Sequence, residues 1–230
     1  MKITFITLFP EMFEGPFKQS IIKHAQEKGH VSLQFTNIRD FGIGTHKVVD
    51  DTAYGGGIGM VLRADIVKKA LDAARDPELR GKEAVLLMVA DGTTYTQRIA
   101  ENLSTFEHLI IICGHYEGID ERIRSHVDFE LSIGDFVLTG GELPSMLIAD
   151  SVIRLLPGVL KPGVTENESF SHMQNESYTL EYPLYTKPVE FDGQIVPEIL
   201  LSGDHKKIEE WRRAKSLEKT KKTRPDLIKE

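Results

Sequence analysis

The chain has 230 residues, 40% of them apolar and 27% charged, enough for one large domain, or a domain with a small appendage, around a proper core. Its formal charge of −7 argues against a protein that coats nucleic acid non-specifically. One cysteine, Cys113, excludes an internal disulfide and favours a reducing cytosol.

Apolar runs such as "AVLLMVA" and "HLIIICG" are strand-length, so no membrane span is expected. The "MKITFITLFP" start has too short an apolar stretch for a signal peptide. The residues 2–9, "KITFITLF", read as a buried first strand closed by Pro10. Helical spacing over Ser20–Lys28 ends at Gly29, as a helix followed by glycine should. Residues 31–38, "VSLQFTNI", alternate apolar and polar as a second strand. A glycine-bearing loop over 39–62 is followed by a helix over Ala64–Arg75, stopped before Pro77. "EAVLLMVA" (83–90) fits a central parallel strand turned by Asp91-Gly92. A short helix over 96–103, a strand "HLIIICG" (108–114), a short helix over 119–126 and a strand "FELSI" (129–133) follow. Pro144–Leu156 reads as a strong helix with proline in its first turn.

This alternation predicts an α/β fold with a mostly parallel sheet over residues 1–161. Residues 162–182 are polar and turn-rich and read as an interdomain linker. Residues 183–230 read as a small, basic, mainly helical domain, with nine Lys or Arg against three Glu between His205 and Arg224. Such a basic end can touch phosphates at chosen points, or be a solvated helix face.

In a parallel sheet, ligands sit beyond the carboxyl ends of the strands. Three glycine-punctuated loops fall there: "ADG" (90–92), "CGHYEGIDER" (113–122) and "SIGDFVLTGGELP" (132–144). Glycines let main-chain groups read a flat ligand's edge, and Glu117 and Asp135 stand close by, which suits an adenosine-bearing ligand with a positive centre. The Walker spacing and a G-x-G-x-x-G after the first strand are both absent, which disfavours polyphosphate and NAD chemistry. The eight histidines and the cysteine are scattered singly, so no metal ligand set is predicted.

The blocks "NIRDF" (37–41), "VDDTAYGGGIGM" (49–60), "CGHYEGIDERI" (113–123), "SIGDFVLTGGELP" (132–144), "DSVIRLLPGVL" (150–160), "ESF" (168–170), "VPEILLSGDH" (196–205) and "WRRAKSLEKTKKTRPDL" (211–227) occur in this order. Together they closely resemble the bacterial tRNA (guanine-N1)-methyltransferase family, which methylates the guanine at tRNA position 37. The resemblance implies an S-adenosylmethionine-dependent, cytoplasmic homodimer of the SPOUT class, its sheet threaded through a deep trefoil knot, with tRNA as partner. Magnesium dependence is implied too, with no ligand cluster in the sequence to show it.

Carried over by position, the cofactor is expected at Gly114, Tyr116, Glu117, Ile133, Gly134, Asp135, Phe136, Val137, Leu138, Gly140 and Gly141. Core packing is the plainer reading of Ile133 and Leu138. Glu168 is expected to take the N1 proton in place of the family's aspartate, with Glu166 as fallback, and Arg154 to steady charge on guanine O6. A solvated linker carboxylate and a helix salt bridge are their ordinary alternatives. Asp50, Tyr54, Gly55, Gly56, Gly57 and Gly59 are expected beside the target nucleotide, and Trp211, Arg212 and Arg213 on the tRNA stem.

The chain departs from the family pattern at five places. Val89-Ala90-Asp91-Gly92 stands for the usual Ser-Pro-Gln-Gly, His115 for arginine and Ile58 for proline. Leu184-Tyr185-Thr186-Lys187-Pro188 stands for "HYTRP", and the carboxyl-terminal domain reads as shortened. Because the changes cluster around the substrate, a different RNA target and a non-catalytic RNA-binding dimer stand as rival readings.

Overall fold

The computed structural model describes residues 1–166, 168–171, 173, 174 and 177–228. Residues 167, 172, 175, 176, 229 and 230, which fall in the stretches read as linker and terminal domain, lie outside the described residues. The chain divides into two compact units, Met1–Leu160 and Lys161–Glu230.

The first unit contains, in chain order, β1 (Lys2–Thr7), α1 (Glu14–Phe17), α2 (Ser20–Glu27), β2 (Ser32–Asn37), β3 (Asp50–Thr52), β4 (Met60–Leu62), α3 (Ala64–Ala74), β5 (Glu83–Thr94), α4 (Gln97–Leu103), β6 (His108–Cys113), β7 (Phe129–Ser132) and α5 (Glu142–Ile153). Its sheet has the order β2-β1-β6-β5-β7, every pairing parallel. The predicted α/β class and parallel sheet are what the structure has. Strands β5 and β6 are apolar on both faces because helices cover both. Ile3, Phe5, Leu86, Leu109 and Ile111 pack with α2, α4 and α5 residues, while Ile6, Leu87, Ile110 and Ile112 pack with Ile66, Ala70 and Leu71 of α3. Helix α2 stops where Gly29 takes φ +74°, the left-handed conformation that closes helices at least cost on glycine.

Four local expectations need correction. Asp91-Gly92 does not end β5. Met88 and Thr93 both register with Leu131, so residues 89–92 bulge from the β5–β7 ladder and the strand resumes to Thr94. Gly92 permits this, since a β-carbon there would lie 2.7 Å from the Glu130 carbonyl carbon and the Leu131 nitrogen. The loop over 39–62 contains the antiparallel hairpin β3–β4. The short helix expected over 119–126 is a 3-10 turn, Glu121–His126, started by the Asp120 side chain accepting from Arg122 N. Helix α5 begins at Glu142, one turn's edge earlier than expected, which places Glu142 in the first turn.

The second unit holds the two-residue strand pairs β8 (Met173–Gln174) with β9 (Ser177–Tyr178) and β10 (Glu190–Phe191) with β11 (Gln194–Ile195), then α6 (Glu198–Leu201) and α7 (His205–Thr223). Asp204 caps α7 by accepting from Lys207 N. Leu180 N–H donates to Thr220 Oγ1 at 2.9 Å and Ser216 Oγ donates to Leu180 O at 2.6 Å, so the segment before Tyr182 is bonded to α7.

Candidate active site

The carboxyl ends of β6 and β7 and the bulge of β5 open into a cleft of about 450 Å³, within the range of small-molecule sites. Three segments build it: Leu87–Asp91, Gly114–Ile119 with Glu121 and Arg124, and Leu131–Ile133 with Phe136–Gly141 and Pro144. The chain leaves edge strand β7 and returns to the middle of the sheet, where Gly141 N–H donates to Gly114 O at 2.7 Å and His115 bridges Gly140. Only glycine fits this crossing. A β-carbon on Gly141 would lie 2.6 Å from Gly114 N and 2.8 Å from Cys113 Cα.

Of the residues expected to hold a cofactor, Gly114, Tyr116, Glu117, Ile133, Phe136, Val137, Leu138, Gly140 and Gly141 all line this cleft. Gly134 and Asp135 do not line it; they form the bend between two lining stretches, Gly134 at φ +146°. Tyr116 holds φ +60°, a conformation that costs a non-glycine residue energy and recurs at functional sites. Phe136 and Val137 are exposed at the rim.

Beneath the crossing, Glu142 is almost wholly buried, yet Thr7 Oγ1 donates to its Oε1 at 2.8 Å. Its position in the first turn of α5 also places its charge at the favourable helix end. His115 Nδ1 stands 3.9 Å from Glu142 Oε2, and the His115 ring lies edge-on to Phe9 at 4.9 Å.

Sequence reading missed Arg124. Its guanidinium contacts Asp91, Glu121 and Glu130, each in a different segment at the cleft. Burial alone would lower its pKa, but bonds to Asp91 and Glu130 more than offset that and raise it above the usual arginine value. A signal was present in "ERIR", but its partners lie 33 residues before and six after it.

The glycine run over 55–59 lies beside the central loop of the cleft. Gly55, Gly56, Gly57 and Gly59 all take positive φ, and Tyr54 is fully exposed. Asp50 begins β3, half-buried and in register with Leu62. Glu117 N–H donates to Met60 O, and Leu62 N–H to Gly118 O, each at 3.0 Å, so the hairpin is laced to the cleft's central loop.

Arg154 is half-buried at the end of α5, its N–H bonded to Asp150 O. In the second unit, Glu168 is half-buried and its carbonyl accepts from Ser171 N at 3.1 Å. Arg212 lies over the Tyr182 ring at 4.8 Å and Trp211 beside Tyr185 at 6.3 Å, both half-buried, while Arg213 is exposed. Among the described residues, no group of three or more His, Cys, Asp or Glu is placed to hold a metal, and no helix is long and apolar enough to cross a membrane.

Over residues 1–230 the chain matches the family described as tRNA (Guanine-1)-methyltransferase TrmD. It is 54% identical over 231 residues to a tRNA (guanine-N(1)-)-methyltransferase of Bacillus pumilus (strain SAFR-032), covering 99% of this chain and 92% of that one. Proteins of the same name from Desulforudis audaxviator (strain MP104C) and Bacillus subtilis (strain 168) are 51% and 52% identical, covering 99% and 100% of this chain and 90% and 93% of theirs. With matches of that extent and the expected loops gathered around one cleft, the chain belongs to the tRNA (guanine-N1)-methyltransferase family.

Proposed function

We propose that this protein methylates N1 of guanine at tRNA position 37, taking the methyl group from S-adenosylmethionine bound in the cleft of the first unit. One observation carries the reading: the bulge of β5 and the segments following β6 and β7 converge on a single cleft, beside the glycine crossing at Gly114 and Gly141. The residues present fit such a donor. The glycines at the crossing leave main-chain groups bare for a flat nucleoside, and Glu117 presents a carboxylate in the cleft to a cationic end. When bound, S-adenosylmethionine supplies an electrophilic methyl carbon on a positively charged sulfur.

Guanine N1 keeps its proton at neutral pH, so a base must accept it as the N–C bond forms. In this reading the Glu168 carboxylate takes that proton. The Arg154 guanidinium meets the negative charge growing on O6, and the electrons of the breaking C–S bond return to sulfur. Asp50 and the glycine run from Tyr54 to Gly59 would receive the extruded base, and Trp211, Arg212 and Arg213 of α7 would contact the tRNA stem. Magnesium has no step assigned to it.

The same reading includes a trefoil knot, supported by the return of the chain from edge strand β7 to the crossing beside β6. It also includes a cytoplasmic homodimer. Helix α5 is apolar nearly all round, yet Leu143 and Leu147 are exposed, as is Met12 on the neighbouring turn Pro10–Phe13; a second protomer would cover them.

Labelled methyl transfer to unmodified tRNA and to a tRNA with adenine at position 37 tests the proposal. Label should enter only the first. Equal labelling of both overturns the target, and no labelling of either, with donor bound, overturns the transfer. Glu168→Gln should lower turnover on the order of 10²-fold or more with donor affinity intact; unchanged turnover removes Glu168 from the reaction.

A further inference from the structure

Among the described residues lining the cleft, Arg124 is the only Lys or Arg. Its Nη2 donates to Asp91 Oδ1 and Oδ2 at 3.1 and 2.9 Å, its Nη1 contacts the Glu130 carboxylate, and its Nε pairs with Glu121 Oε2 at 2.9 Å. Asp91 stands in the 89–92 bulge, Glu130 on β7, and Glu121 on the same 3-10 turn as Arg124 itself. One planar guanidinium therefore spans the three segments whose spacing sets the width of the cleft, a geometry an ammonium could not reproduce.

The bulge needs such a tie. Residues 89–92 lie outside the β5–β7 register, so the regular ladder does not position them. They nevertheless supply Val89, Ala90 and Asp91 to the cleft wall. The "ADG" stretch that looked like a plain strand-ending turn is thus held in place by charge. Asp91 and Glu121 are well exposed, so the clasp faces water and salt can weaken it.

We propose that Arg124 is a positioning residue for the methyl donor: by clasping Asp91 to Glu130 it fixes the bulged wall of the cleft, so that donor affinity, and not the transfer step, depends on it. This rests on the reading of the cleft as the S-adenosylmethionine site. In this proposal the residue acts through the wall it holds.

The test is calorimetric titration of the full chain with S-adenosylmethionine, at low and high ionic strength, beside steady-state kinetics. Arg124→Ala and Asp91→Asn should each weaken donor binding about fivefold, the size expected for a partly exposed ionic network. The double variant should be no weaker than the worse single, because both remove one clasp. Turnover at saturating donor should stay within about twofold of wild type, the loss appearing in the donor KM. Arg124→Lys should restore only part of the affinity. Wild-type affinity should fall more steeply with rising salt than that of Arg124→Ala, because only the wild type has a clasp to screen. Because Asp91 is exposed, Asp91→Asn keeps the test open should Arg124→Ala fold poorly. If the wild type binds donor and both single variants bind it equally well, the clasp is overturned. A turnover loss matching the loss in kcat/KM also overturns it. If the wild type binds no donor, the reading of the cleft falls and this inference with it.

Discussion

Gly59 lies directly against the side chain of Glu117. A β-carbon built on Gly59 would stand 2.7 Å from Glu117 Oε1, and Gly59 already holds φ +96°. One member of the glycine run therefore leaves room for a cleft-wall carboxylate. Gly59→Ala should cost about 1–2 kcal/mol in left-handed strain and, by displacing Glu117, should weaken donor binding about tenfold. Gly29→Ala is the control, with φ +74° and open space around it. It should carry a similar stability cost with no change in donor affinity. Urea unfolding and calorimetry separate the two effects, and equal donor affinities for the two variants would refute the role given to Glu117.

What the sequence made legible followed from strong local patterns. "EAVLLMVA" and "HLIIIC" are apolar on both faces, and only a strand covered on both sides explains that. The lining positions in 114–117 and 133–141 were legible through resemblance, and among the glycines there a β-carbon would collide at Gly134, Gly140 and Gly141. Four features were not legible. The hairpin β3–β4 has three-residue strands, too short for alternation to register, separated by glycines that read as loop. The bulge at 89–92 was hidden because Asp-Gly is also a common turn. The Arg124 clasp and the Thr7–Glu142 bond depend on residues 33 and 135 positions apart, which no local pattern connects.

At the amino end of central strand β6, His108 is fully buried and should make stability depend on pH. Thr4 Oγ1 is 2.9 Å from its Nε2, while Nδ1 and Glu83 Oε2, 3.9 Å apart, have no hydrogen-bond partner among the described residues. Burial, aided by Lys2 and Arg75 and opposed by Asp76, pushes its pKa down to about 4. An unfolded histidine titrates near 6.5. Between those values the unfolded chain binds a proton the folded one refuses, so this contribution is complete above about pH 6.5 and is lost as pH falls towards 4, by at most about 1.4 kcal/mol per unit. Comparing wild type with His108→Gln cancels the carboxylates common to both. From pH 6.5 to 4.5 the wild type should lose about 2 kcal/mol more in urea unfolding; parallel losses would show that His108 does not titrate in this window.

Cys113 should be chemically silent in the folded protein. It is buried at the end of β6, its Sγ 3.1 Å from Ser145 Oγ, and burial pushes the thiol well above its ordinary pKa. The nucleophile in disulfide exchange is the thiolate. An aromatic disulfide reagent at pH 8 should therefore leave the native protein unlabelled and release one equivalent of chromophore per chain in denaturant. Rapid labelling of the native state would mean that the sheet end beside the crossing opens readily.

Thr7 and Glu142 should behave as one unit beneath the cleft. The hydroxyl both donates to the Glu142 carboxylate and accepts from Phe9 N at 3.0 Å, tying the end of β1 to the start of α5. Thr7→Val keeps the shape but leaves a buried carboxylate short of a donor, which costs about 1–3 kcal/mol. Glu142→Gln keeps the volume and loses the charge that favours the first turn of α5. Each single change should destabilise, and the double variant should lose clearly less than the two together, because the second substitution removes a partner already stranded. Gly141, which lines the cleft, directly precedes Glu142, so both singles should also weaken donor binding. Strict additivity in urea unfolding, with donor affinity unchanged, would mean that the buried pair and the cleft above it are independent.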